Sequence, residues 1–102
     1  MTDSVAGLSQ AIQQFADERD WGQFHSPKNL AAALIVEAGE LLEHFQWLGP
    51  AAVSRLMSGG DEARVRLIAE EFADVMMYGL QLARTLDIDI TGEILRKIDI
   101  VD

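Results

Sequence analysis

Two pairs of acidic residues stand three positions apart in apolar stretches: Glu37 with Glu40 in "LIVEAGELLEHFQW", and Glu71 with Asp74 in "EEFADV". Residues three apart lie on the same side of a helix. If two such helices face each other, four carboxylates meet, and their repulsion and lost hydration drive some of them to take up protons. Mg²⁺ relieves this repulsion, because it prefers carboxylate and water oxygens and leaves positions open for substrate phosphate. The spacing predicts a Mg²⁺ site shared by two helices.

The same spacing also occurs on solvent-exposed helix faces, and this alternative applies unequally to the two pairs. Glu37 falls on an apolar stripe, among large side chains at positions 30, 34, 41 and 45, so ordinary solvation does not explain it. Polar neighbours of the second pair indicate a hydrated side: Glu70, Gln81 and Arg84.

Four helices are predicted to position these residues. They span about 4–19, 27–48, 61–86 and 90–99, according to apolar residues at three- and four-residue spacing. Ser26 and Pro27 are typical of a helix start, and Asp61 is a plausible N-cap for the third helix. Residues 50–60, which end in "MSGG", are predicted to form a loop with at most a short helical turn. The expected fold is all-α, resembling a four-helix bundle, in one domain over residues 1–102.

Composition limits the classes of partner. The chain has 102 residues and a net charge of −9, which argues against a nucleic-acid polymer or an anionic membrane as the main partner. It contains no cysteine, and neither a signal peptide nor a membrane-spanning run is recognised, so a cytoplasmic protein is expected. Apolar residues make up 49%, which is high for so small a domain and hints at surface buried between subunits.

Residues 8–98 closely resemble the MazG-like all-α nucleoside triphosphate pyrophosphohydrolases, in particular the short branch that includes the dCTP pyrophosphatases. The similarity rests on "ERDWGQFHSPKNLAAALIVEAGELLEHFQW" followed by "EEFADVMMYGLQLARTLDID". Its component motifs are specific in combination: His-x-Pro-Lys-Asn-Leu, Glu-x-x-Glu, Phe-Gln-Trp and Glu-Glu-x-x-Asp-Val, in this order.

The resemblance implies hydrolysis of an NTP or dNTP between the α- and β-phosphates, nucleotide-pool house-cleaning, and a homotetramer built as a dimer of dimers. It implies Mg²⁺, with Mn²⁺ as a substitute, held by four carboxylates: Glu37, Glu40, Glu71 and Asp74. Glu37 and Glu40 are expected to take part in catalysis, with Glu40 as the candidate general base. The residues expected to bind substrate are Trp21, His25, Lys28, Asn29, Trp47, Tyr78 and Lys97.

Some positions depart from the pattern and leave alternatives open. Ile12 falls where dCTP-selective animal relatives carry a histidine, so narrow dCTP selectivity does not follow. Val101 stands where many relatives have an asparagine, which favours a non-catalytic oligomeric bundle with a degenerate nucleotide site. A di-iron carboxylate bundle would use Glu-x-x-His pairs, whereas His44 lies four residues after Glu40.

Overall fold

The computed structural model describes residues 4–24 and 26–101, and this part of the chain forms five α-helices and no strand. The helices are α1 (Val5–Glu18), α2 (Pro27–Glu43), α3 (Pro50–Ser58), α4 (Glu62–Thr85) and α5 (Ile90–Val101), with a 3₁₀ turn at Trp21–Phe24 between α1 and α2. The prediction of an all-α fold is confirmed. None of the helices in the described ranges combines the length and apolar character needed to cross a lipid bilayer.

The predicted starts of the two long helices are also confirmed. The Ser26 hydroxyl accepts a hydrogen bond from the Asn29 backbone N–H at 3.1 Å, and Pro27 occupies the first turn of α2. The Asp61 carboxylate accepts from the Arg64 backbone N–H at 3.2 Å at the start of α4. Each cap satisfies a backbone donor that the helix leaves unpaired, typically contributing about 1 kcal/mol.

Two predictions about the connection between the long helices are wrong. Helix α2 ends at Glu43 rather than near 48, because the backbone N–H of His44 already bonds three residues back and tightens the last turn. Residues 50–58 form α3 instead of a loop. Its signals were present in the sequence: Pro50 suits a first helical position, and Gly59 adopts the left-handed conformation (φ 84°) that ends many helices.

Helices α2 and α4 form an antiparallel pair that makes the most extensive helix contact in the described chain. Leu34 lies beside Gly79, where an added Cβ would stand 3.6 Å from the leucine side chain. Glu37, which comes later in α2, meets Glu71 and Asp74, which come earlier in α4, so the two helices run in opposite directions. Helix α1 packs against α4, and α5 makes only slight contact with other helices. The buried apolar core is correspondingly small: Ile12, Ala16, Leu30, Leu80 and Ala83.

Candidate functional site

Three of the four predicted carboxylates meet between α2 and α4. One oxygen each from Glu37, Glu71 and Asp74 lies within 4.8 Å of the others. Glu37 and Glu71 are half-buried, and Asp74 is exposed. Glu40 is an exposed neighbour of Glu37 outside this group. The antiparallel pairing thus builds the acidic cluster, defined here as Glu37, Glu71 and Asp74.

The electrostatics of the cluster fit a bound cation. The side-chain hydrogen bond with Glu71 is the main cause that raises the pKa of Glu37 above its ordinary value; desolvation and the charges of Glu71 and Asp74 add to it, and Glu40 opposes it. Oxygen Oε2 of Glu71 is buried without a hydrogen-bond partner among the described residues. Buried polar atoms are rarely left unpaired, because the loss of hydration is then uncompensated. Three carboxylate oxygens are a donor set that suits a hard divalent cation, so these residues can hold a metal ion.

A cavity of ≈ 460 Å³ opens beside the acidic cluster. Two cluster members, Glu37 and Asp74, form part of its wall. The other lining side chains are aromatic, thioether or amide groups from α1, the 3₁₀ turn and α4: Phe15, Trp21, Met77, Tyr78 and Gln81. The cavity therefore joins an anionic end to a surface on which a planar ring can stack.

The aromatic wall is held by contacts local to the end of α1. The rings of Phe15 and Trp21 pack edge to face with centroids 5.2 Å apart. The Arg19 guanidinium lies 3.6 Å from the Phe15 ring centroid and donates to the Phe15 carbonyl at 3.2 Å. Asp20 adopts a positive φ of 55° just before Trp21, a conformation that aspartate tolerates better than most residues. The turn after α1 thereby brings Trp21 back onto Phe15.

Four predicted substrate-binding residues that the structure describes lie outside the lining of this cavity. Lys28 and Asn29 are exposed in the first turn of α2, and Trp47 is 86% exposed beyond the end of that helix. Lys97 lines a different surface cleft of ≈ 410 Å³ along α5. His25 lies outside the described residues. Among the predicted substrate-binding residues that are described, the cavity brings together Trp21 and Tyr78.

Sequence reasoning missed three residues that line the cavity: Phe15, Met77 and Gln81. The assignment of Gln81 to a hydrated side is wrong, because the side chain is only 8% exposed. Helical spacing could have found it, since Asp74, Tyr78 and Gln81 follow an i, i+4, i+7 pattern on one side of α4. Phe15 carried no such signal, because its position on the apolar face of α1 predicts core packing equally well.

The sequence profile of the MazG-like family matches residues 33–100, which include most of α2, all of α4 and the whole acidic cluster. The chain belongs to the MazG-like family. This MazG-like chain is 40% identical to dCTP pyrophosphatase 1 of Homo sapiens over 92 residues, which cover 85% of the chain and 50% of that protein. It is 41% identical to dCTP pyrophosphatase 1 of Bos taurus over 91 residues, with 84% and 50% covered.

A solved structure supports the same placement. The crystal structure of a pyrophosphatase from Archaeoglobus fulgidus superposes with a TM-score of 0.77 at 36% sequence identity, covering 90% of the MazG-like chain and 82% of that chain. The MazG-like chain spans about half the length of the curated relatives it matches. The acidic cluster shared by α2 and α4 lies within the part that matches the family.

Proposed function

We propose that this chain hydrolyses nucleoside triphosphates, dNTPs in particular, between the α- and β-phosphates, giving a monophosphate and pyrophosphate with Mg²⁺ as the metal. One observation carries the proposal. Three carboxylates, one of which has a buried oxygen without a hydrogen-bond partner among the described residues, lie beside a cavity walled by aromatic rings. A cation site and a stacking surface are the two parts that a nucleotide requires. The relatives named dCTP pyrophosphatase and the pyrophosphatase structure support the same reaction class.

The shape of the site suggests how the substrate is oriented. The base enters the aromatic part of the cavity, where Trp21 offers a ring face and Tyr78 offers a phenol near the sugar. The triphosphate then extends toward Glu37 and Asp74 at the other end. A triphosphate approaching these carboxylates without a cation would be repelled, so substrate binding depends on the metal.

Three carboxylates are proposed to act as metal ligands, and Glu40 is proposed both to add to the ligand set and to act as the base. Glu37, Glu71 and Asp74 would hold the cation, with Glu40 completing the set from its position beside Glu37. Mg²⁺ held by these carboxylates, or Mn²⁺ in its place, would supply positive charge to neutralise the phosphates and activate the phosphorus toward attack. Glu40 is the proposed general base because it is exposed and lies outside the group of three that converges on one point. It accepts a proton from the attacking water, whose oxygen forms the new bond to phosphorus as the phosphoanhydride bond breaks.

The predicted basic and polar residues outside the cavity are proposed to meet the parts of the substrate that project beyond it. Lys28 and Asn29 lie at the start of α2, where the backbone N–H groups favour an anion. Lys97 is proposed as a further phosphate contact, and His25 is proposed to order the loop before α2. Trp47 is proposed to stack on substrate from a neighbouring copy, because its ring is open to solvent beyond α2.

Self-association is the second part of the proposal, and it rests on an apolar face: Ile35, Leu42, Val65, Phe72 and Met76. All five are exposed. Ile35 and Leu42 are seven positions apart on α2, and Val65 and Phe72 are seven positions apart on α4, which is a spacing typical of helices that pack against other helices. Ile35 is two residues from Glu37, and Phe72 is two residues from Asp74. Two residues turn about 200° around a helix, so Ile35 points away from Glu37 and Phe72 points away from Asp74.

Surface area favours a second copy as the partner of this face. The chain exposes 7595 Å², whereas a compact monomer of this length exposes about 5,700 Å². The difference exceeds the roughly 800 Å² that each partner buries in a standard interface. The radius of gyration, 16.0 Å, likewise exceeds the value of about 13 Å for a compact domain. Exposed isoleucines on α5, Ile94 and Ile98, offer a second surface, which a dimer of dimers requires.

The proposed setting is nucleotide-pool house-cleaning in the cytoplasm by a single-domain chain. The absence of cysteine is compatible with a reducing compartment. The aromatic cavity offers stacking to any base, which suits an enzyme that removes unwanted nucleotides.

Product analysis tests the proposed reaction. The purified chain is incubated with dCTP, dTTP, dATP and dGTP in the presence of Mg²⁺, Mn²⁺ or EDTA, and the products are followed by ³¹P NMR. The expected result is equal release of monophosphate and pyrophosphate with either metal, and none with EDTA. Release of inorganic phosphate with a diphosphate would contradict the cleavage position. Metal-dependent binding without turnover would instead favour the non-catalytic bundle.

A further inference from the structure

Gln81 is the one residue of the described chain that is both polar and buried. It lies on α4 with 8% of its surface exposed. No hydrogen bond joins its carboxamide to another described residue; the oxygen that accepts from the Thr85 hydroxyl at 2.8 Å is the backbone carbonyl. The residue is largely buried on a cavity wall, and its amide groups are therefore available to hydrogen-bond a ligand that enters the cavity.

The position of Gln81 indicates which part of a ligand it would meet. It lines the ≈ 460 Å³ cavity together with Trp21 and Tyr78, and it also borders a smaller pocket of ≈ 230 Å³. Gln81 follows Asp74 by seven residues, which is about 10 Å along the axis of α4. A nucleotide whose phosphates lie at the acidic end would therefore extend its base toward Gln81.

We propose that Gln81 is a specificity-determining residue that hydrogen-bonds the edge of the nucleobase, an inference that rests on the proposed function. A glutamine carboxamide supplies both an acceptor and donors. No described neighbour fixes which end of the amide faces the cavity, so rotation presents either group to the base. Gln81 therefore distinguishes a base with a hydrogen-bonding edge from an apolar one, while accepting both amino-bearing and oxo-bearing bases.

The substitution Gln81→Met tests this inference, because methionine has a similar length and no hydrogen-bonding amide. The matched control is Gln14→Met, on the exposed side of α1, where the glutamine side chain bonds only Glu18. We expect Gln81→Met to lower kcat/KM for dCTP and dTTP roughly 10- to 100-fold, mainly through KM. Hydrolysis of 2-deoxyribose 5-triphosphate, which has no base, should change less than about twofold. Gln14→Met should leave all three values unchanged.

Thermal unfolding separates recognition from a structural role. Because the carboxamide makes no hydrogen bond within the described residues, Gln81→Met should unfold at about the same temperature as the natural chain. A lower unfolding temperature with equal losses for dCTP and the baseless triphosphate would overturn the inference, as would unchanged kcat/KM for dCTP.

Two further measurements keep the test independent of that variant and of turnover. The natural chain should hydrolyse a dNTP carrying an apolar thymine isostere at least about 10-fold less efficiently than dTTP, and equal efficiency would contradict base recognition. Calorimetric binding of dCMP should weaken by a similar factor in Gln81→Met. Equal dCMP affinity in the natural chain and Gln81→Met would overturn the inference, whether or not a triphosphate is hydrolysed. If no triphosphate is hydrolysed but dCMP binds Gln81→Met more weakly, the result counts only against the proposed reaction.

Discussion

The two sides of the α2–α4 pair differ in chemistry although their residues alternate along the same helices. On one side, Glu37 and Asp74 contribute carboxylates to a half-buried cluster with an unpaired oxygen. On the other, two residues away in each helix, Ile35 is 69% exposed and Phe72 is 51% exposed. Glu37 and Glu71 are therefore partly withdrawn from water, whereas large apolar side chains of the same helices are left in water.

We propose that a cation completes the acidic side and that a second copy of the chain covers the exposed apolar residues. A cluster of carboxylates is destabilised by repulsion and lost hydration until a cation balances it. An apolar face is destabilised by contact with water until another protein surface covers it. The buried apolar core of the described residues is small, so burial of apolar surface between copies would add to stability.

The largest expected effect comes from removing a charge on the acidic side. Glu37→Gln should lower kcat/KM for dNTP hydrolysis by about 10³-fold, because a ligand of the cation is lost where phosphate charge must be neutralised. The control is Glu43→Gln, which removes the same charge from an exposed position on the same helix. Steady-state pyrophosphate release measures both variants. Comparable losses in the two would mean that net charge, rather than the cluster, supports activity.

A charge placed on the apolar side should act on assembly instead. Phe72→Glu should weaken self-association by roughly 100-fold or more, because it buries an unpaired carboxylate in the interface. Leu67→Glu is the control, since Leu67 is similarly exposed (54%) on α4 but lies outside the apolar face. Sedimentation velocity over a range of protein concentrations gives the oligomeric state. An unchanged oligomer in Phe72→Glu would exclude this face as the interface.

The smallest effect is a pH dependence confined to the acidic side. The Glu71 hydrogen bond raises the pKa of Glu37 above its ordinary value of 4.5, with desolvation adding to the shift. Protons therefore compete with Mg²⁺ at a higher pH than for an ordinary glutamate, and affinity should fall at most about 10-fold per pH unit below that pKa. Calorimetric Mg²⁺ titration at several pH values measures this fall.

The same shift determines how the metal-free protein responds to pH. The folded state binds the Glu37 proton more tightly than the unfolded state, so this group favours folding below its raised pKa and loses that contribution as pH rises through it. Glu37→Gln should flatten the dependence in thermal unfolding with EDTA, whereas Phe72→Leu, which adds no titratable group, should leave it intact. An unchanged pH dependence in Glu37→Gln would contradict the assignment.

Sequence spacing predicted the acidic side better than the rest of the molecule. The pairs at 37/40 and 71/74 follow a fixed helical rotation, so the facing of α2 and α4 could be anticipated, although Glu40 stays outside the group of three. Helix α3 was missed because a nine-residue helix carries little periodicity. Helical spacing places Gln81 on the same side of α4 as Asp74 and Tyr78, but the extent of its burial depends on tertiary packing, which no local pattern specifies.

Binding of Mg²⁺ to the acidic cluster is the central claim, and isothermal titration calorimetry tests it most directly. Glu71→Gln changes the residue that carries the unpaired buried oxygen, and Glu70→Gln changes its exposed neighbour by the same chemistry. We expect the natural chain and Glu70→Gln to bind Mg²⁺ with the same affinity, and Glu71→Gln to bind at least about 10-fold more weakly. Equal affinity in all three proteins would contradict the account.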